Sequence, residues 1–111
     1  VNPIGANHQV RGGIVDGMGH AMYTNLTFEN GLPKQKNYDS YRLIRLKEVP
    51  EIDTHFLDSG FDPTGLGEPA LPPTGGAIAN AIFAATGRRL RSQPFIEQKE
   101  FTDLKLEIRR T

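Results

Sequence analysis

With 111 residues, 37% of them hydrophobic, the chain suits one small globular domain and is too short for two. Its 13 basic and 13 acidic residues cancel, so charge gives no reason to expect a nucleic-acid partner or an acidic solvating tail. The absence of cysteine excludes disulfides, thiolate metal sites and cysteine nucleophiles, and no run of about 18 apolar residues could span a membrane.

The chain opens Val1-Asn2-Pro3, with neither an initiator methionine nor a visible signal sequence. That start is expected of a processed product, an expression product or a fragment. Residues 6–23 read as a helix, because Val10, Ile14, Val15, Met18 and Met22 recur at helical spacing on one face. Gly12, Gly13, Gly17 and Gly19 interrupt it, each at a cost of roughly 0.5–1 kcal/mol relative to alanine. Close approach of another backbone or of a ligand is the physical reason to retain them.

From Thr24 the pattern turns to β. Thr24 to Phe28, a turn at Glu29-Asn30-Gly31, and Leu32 to Gln35 predict a hairpin. Tyr38 to Leu46 is extended or irregular. Glu51 to Asp58, with Pro50 before it, is the clearest expected strand, placing Ile52, Thr54, Phe56 and Asp58 on one face. Residues 59–76 are too rich in glycine and proline for a regular element, and a loop this long is usually functional or disordered. Ala77 to Thr86 is an alanine-rich helix, with Thr74 as the expected N-cap, Gly87 as its stop, and Arg88 and Arg89 at the end that favours cations. In the charged tail, Leu104, Leu106 and Ile108 alternate as one short strand would. The expected class is α+β, one domain over 1–111: a glycine-rich N-terminal helix, a hairpin with further strand, a long Gly/Pro loop and a closing helix.

Few residues offer chemistry. His8, His20 and His55 fall in no helical ligand pair, so no metal site is expected from them. There is no GxSxG elbow and no Walker lysine, and Gly65-Leu66-Gly67 lacks the third glycine and the flanking strand and helix of a dinucleotide fingerprint. Glu68 stands apart. Glycines before it let the backbone approach a ligand, and Pro69 fixes the direction in which the chain leaves. A carboxylate so presented beside a desolvated cofactor could serve as a general base, and it could equally be an exposed loop glutamate.

Several segments together resemble one family. They are Val1-Asn2-Pro3 with Gln9-Val10-Arg11-Gly12-Gly13 and Gly17-Met18-Gly19; Tyr38-Asp39-Ser40-Tyr41-Arg42-Leu43 with Val49-Pro50; and Gly65-Leu66-Gly67-Glu68-Pro69 followed by Pro72-Pro73 and Ala77 to Arg89. Over residues 1–95 their order and spacing are similar to the C-terminal segment of the molybdenum-binding large subunit of the xanthine dehydrogenase and aldehyde oxidase family. The nearest branch looks like the isoquinoline 1-oxidoreductase β subunit and bacterial aldehyde oxidoreductases. The tail 96–111 carries no resemblance.

The resemblance implies a molybdopterin cofactor, in bacteria usually its cytosine dinucleotide, carrying molybdenum. It implies oxidation of an aldehyde or N-heterocycle with water as the oxygen source, and electrons leaving through an iron–sulfur subunit. Glu68 would be the general base, Gln9 a hydrogen-bonding partner of the pterin, and Gly67 a point of close approach. Gly12 and Gly13 would serve helix packing. Arg11 departs from the acidic residue often found there. Family subunits are several times longer, so the isolated chain is expected to be inactive and to hold no molybdenum. It would be complete only with the rest of its subunit, and prone to self-association through surface that subunit would cover. The alternative is a stand-alone, non-catalytic binding or assembly module of the same descent. Compartment stays open between bacterial cytoplasm and periplasm.

Overall fold

The computed structural model describes residues 2–108. Its elements in order are α1 (Pro3–Met22), β1 (Phe28–Glu29), β2 (Leu32–Pro33), a single 3-10 turn at Leu46–Glu48, α2 (Leu71–Thr86), a second 3-10 turn at Phe95–Glu97, and α3 (Lys99–Ile108). The α+β expectation holds, with a β component reduced to one short hairpin.

Helix α1 starts three residues earlier than its apolar periodicity suggests, because Asn2 caps it. The Asn2 Oδ1 accepts from the backbone N–H of Ile4 at 3.0 Å and of Gly5 at 3.4 Å, and Pro3 sits in the first turn, where no N–H is needed. At the other end the N–H groups of Tyr23 and Thr24 both turn back to the Gly19 carbonyl.

Helix α2 likewise begins early, at Leu71 and not Ala77. Pro72 and Pro73, read in the sequence as breakers, occupy the first turn and sacrifice only N–H groups that lack intrahelical partners anyway. Thr74 is therefore not the cap. It lies inside the helix, buried, with its hydroxyl donating to the Ala70 carbonyl at 2.6 Å. Gly87 ends α2 as expected, at φ +72°, its N–H bonded to the Phe83 carbonyl.

The hairpin turns through Asn30 (φ +50°) and Gly31 (φ +78°), the left-handed pair a two-residue hairpin turn needs. Phe28 pairs with Pro33 and Glu29 with Leu32. Beyond the ladder the side chain of Gln35 takes over, its Oε1 accepting from the Thr27 N–H at 2.8 Å.

The strand expected at 51–58 does not form. The segment is extended coil, and β1–β2 is the only ladder among the described residues. Ile52 and Thr54 are half-buried while Asp53 and His55 are exposed, so the alternation survives for four residues and is then lost at Phe56 and Leu57. A strand exists only with a hydrogen-bonded neighbour, and the described residues supply none there. The strand expected in the tail is also replaced: its backbone is helical through α3, as its lysine, glutamate and leucine content favours.

The core is small. Ala21, Met22, Leu90 and Phe95 are buried, ringed by Met18, Tyr23, Ile78, Ala79, Ile82 and Phe101. It sits where the C-terminal half of α1 meets the inner face of α2 and the segment after it. Accessible surface is 8640 Å² for 12.3 kDa, against about 6100 Å² for a compact monomer of that mass. The radius of gyration is 16.9 Å, where a compact domain of this length has about 13 Å. The fold thus leaves on the order of 2500 Å² more surface open than a self-contained domain would.

Candidate active-site loop

The face that α1 turns toward α2 is a stripe at every fourth residue, Gln9, Gly13, Gly17 and Ala21, which a helix stacks on one side. An added Cβ at Gly13 would lie 3.1 Å from the Ala70 Cβ, and one at Gly17 only 2.7 Å from the Leu71 carbonyl oxygen and 2.8 Å from the Thr74 Cβ. Ala21 faces Gly75, whose own added Cβ would come within 3.6 Å of it. These partners ascend in sequence as the stripe does, so α2 enters alongside α1 and is held there by absent side chains. Gly19 makes room in another direction, for Ile44. Gly12, expected to serve packing, meets nothing within 4 Å and does not.

At the top of the stripe, Gln9 Nε2 donates to the Gly67 carbonyl at 3.4 Å, across 58 residues of sequence. The three residues singled out in the sequence are therefore together: Gln9, Gly67 and, one peptide further, Glu68. Glu68 is exposed, and its carbonyl accepts from the Leu71 N–H at 3.1 Å, which closes the turn leading into α2. Gly65 and Gly67 are required neither by a left-handed φ nor by crowding, since φ is positive only at Gly31, Gly60 and Gly87 among the described glycines and no atom lies within 4 Å of an added Cβ at either. A side chain at either would meet open space beside Glu68, while the Gly67 carbonyl is engaged by Gln9.

Glu48 is held below its ordinary value, first by the Arg45 backbone N–H that its Oε2 accepts at 2.9 Å, with partial burial opposing and the charges of Arg42 and Arg45 assisting. Glu48 also pairs with Arg42, whose guanidinium lies 3.9 Å over the Tyr23 ring. This cluster ties the Tyr38–Leu43 stretch to the end of α1 and has a structural character. His20 lies 3.6 Å from Asp16 and 3.2 Å from the Thr24 hydroxyl. Among the described residues no group of three or more His, Cys, Asp or Glu is placed to hold a metal.

The periodicity reading missed an apolar groove of about 480 Å³ lined by Ile14, Met18, Pro50, Ala70, Ala77 and Ala81, among others. Its signal was present: α2 contains no charged residue in 16 positions. No helix among the described residues is long and apolar enough to cross a membrane.

Residues 1–50 match the family described as molybdopterin cofactor-binding domain. The chain is 42% identical over 94 residues to the membrane-bound aldehyde dehydrogenase (pyrroloquinoline-quinone) of Gluconacetobacter polyoxogenes, covering 85% of this chain and 12% of that protein. It is 34% identical over 107 residues to the molybdenum-binding subunit of an aldehyde oxidoreductase of Escherichia coli, covering 89% and 15%. It is 31% identical over 86 residues to isoquinoline 1-oxidoreductase subunit beta of Brevundimonas diminuta, covering 78% and 11%. The chain thus spans no more than about a seventh of the length of these relatives, while they account for most of its own.

Proposed function

As a relative of the molybdenum-binding subunits of the xanthine dehydrogenase family, this chain is, we propose, the part of such a subunit that presents the general base to the cofactor. Glu68 is that base. Gln9 and Gly67 are the residues of this chain that lie against a molybdopterin, of the cytosine dinucleotide form. The substrate class is an aldehyde or an N-heterocycle, and water supplies the oxygen. The observation that carries the reading is the Gln9–Gly67 hydrogen bond, which brings a carboxamide, a glycine peptide and a carboxylate to one place from two distant parts of the sequence.

The residues present fit one edge of such a group. The side chain of Gln9 is exposed and retains its Oε1 and a second N–H, and Gly65 and Gly67 are both exposed and carry no side chain of their own to block an approach. When bound, a molybdopterin supplies a two-electron redox centre. The chain's own contribution is to accept a proton at a Glu68 carboxylate oxygen and to direct hydrogen bonds from Gln9 and the glycine peptides. The relative named for pyrroloquinoline-quinone suggests a different cofactor, but the match of residues 1–50 to a molybdopterin-binding family and the names of the other relatives favour molybdopterin.

One edge is not an enclosure. Glu68 is exposed and α2, uncharged and largely apolar, leaves Ala77, Ala81, Phe83, Ala84 and Ala85 exposed, whereas a helix of that composition is ordinarily buried. The missing cover is the rest of the molybdenum-binding subunit, with an iron–sulfur subunit as the electron acceptor of the whole. Alone, the chain neither retains molybdenum nor turns over. Elemental analysis and an aldehyde-oxidation assay on the purified chain test this, with no molybdenum and no turnover expected; stoichiometric molybdenum would overturn it. The reading frame around Val1 separates the alternative of a free-standing module, which requires a start codon close by.

A further inference from the structure

We infer that Gln9 is a positioning residue for Glu68, holding the peptide on the N-terminal side of the base while Gly13 and Gly17 seat the peptides on its C-terminal side. The inference rests on Glu68 being the base and assigns to Gln9 a task other than contact with the cofactor. Glu68 follows two glycines separated by one residue, the backbone with the most freedom to lose on ordering. Without a restraint, that freedom passes to the carboxylate.

The structure restrains it from both sides. On the C-terminal side, Ala70 and Leu71 rest on α1 at Gly13 and Gly17, where an added Cβ would stand 3.1 Å from Ala70 Cβ and 2.7 Å from the Leu71 oxygen. The Leu71 N–H bonded to the Glu68 carbonyl carries that seat back to the base. On the N-terminal side the Gln9 amide bonded to Gly67 is the hydrogen bond found at that peptide. Gln9, Gly13 and Gly17 are four apart on one helix, so both restraints share one rigid support. Gln9 spends one N–H on the loop and keeps Oε1 and the other N–H for a ligand, so positioning and binding are compatible in one side chain.

The test uses Gln9→Leu and Gln9→Glu. The second keeps the size and an acceptor and removes the donor, and because Gln9 is exposed neither change disturbs the core. Amide hydrogen exchange at Leu71, whose N–H is bonded to the Glu68 carbonyl, is measured without cofactor, in the 111-residue chain and in the subunit that contains it. Both variants are expected to raise exchange there by roughly two- to tenfold, the range that losing one ordinary hydrogen bond permits, with α1 residues 14–22 unchanged. In the loaded subunit, kcat per bound molybdenum is expected to fall with KM unchanged. Unchanged exchange at Leu71 in both variants would overturn the inference, as would a fall in molybdenum content with kcat per molybdenum unaltered, which marks a cofactor contact only. Normal turnover of a Glu68→Gln subunit would sink the base reading instead, and the exchange data would still decide whether Gln9 holds the loop.

Discussion

Gly17→Ala and Gly12→Ala should change stability in opposite directions, although both replace a glycine in the same helix. At either position alanine recovers about 0.5–1 kcal/mol of helix propensity. At Gly12 that is the whole effect, because nothing lies within 4 Å of the new methyl. At Gly17 the methyl would fall 2.7 Å from the Leu71 oxygen and 2.8 Å from the Thr74 Cβ, one a backbone atom and the other the buried root of a side chain, so α2 must move. Overpacking of that kind costs about 1–3 kcal/mol. The net expectation is a loss of up to roughly 2.5 kcal/mol for Gly17→Ala and a gain of roughly 0.5–1 kcal/mol for Gly12→Ala. Each kcal/mol moves the melting temperature of a domain this small by about 4–8 °C. Far-UV circular dichroism during urea and thermal unfolding reads both. If Gly17→Ala proved as stable as Gly12→Ala, the close seating of α2 on α1 would be wrong, and with it the support assigned to the Glu68 loop.

Replacing Ala77 and Ala81 together by lysine places charge in the apolar groove without removing a helix former, and should lower dye binding by exposed apolar surface and shift the chain toward monomer in light scattering; unchanged values would mean that the α2 face is not the adhesive one. Glu48 has a folded-state pKa below its ordinary 4.5, so its contribution is present above that value and is lost as pH falls through the lower folded-state pKa. Glu48→Gln should therefore flatten the decline of the urea midpoint below about pH 4.5, and an unaltered acid limb would count against it.

What the sequence could show depended on whether the cause was local. The hairpin was legible because Asn30-Gly31 requires its own backbone conformation, and the end of α2 because Gly87 does. The helix starts were misplaced for two reasons: at α1 periodicity does not register the Asn2 cap, and at α2 Pro72 and Pro73 break a helix interior but suit its first turn. Glu51 to Asp58 has a strand's alternation and no strand, because pairing is a property of two segments and no second one lies beside it among the described residues. The glycines of α1 were rightly read as marking close approach, but single-sequence periodicity could not say which. Gly13, Gly17 and Gly19 are needed by neighbours distant in sequence, and Gly12 by none within the chain. For the loop, Gln9 and Glu68 were legible as a pair only through resemblance, and their hydrogen-bonded connection through Gly67 emerged from the fold.

The role of Glu68 is tested most directly by Glu68→Gln in the full subunit, with turnover and molybdenum content measured on the same preparation. Loss of a positioned general base predicts a fall in kcat of about 10²–10⁴-fold with molybdenum retained at the level of the unaltered enzyme. Turnover near normal, at equal molybdenum content, would contradict the assignment.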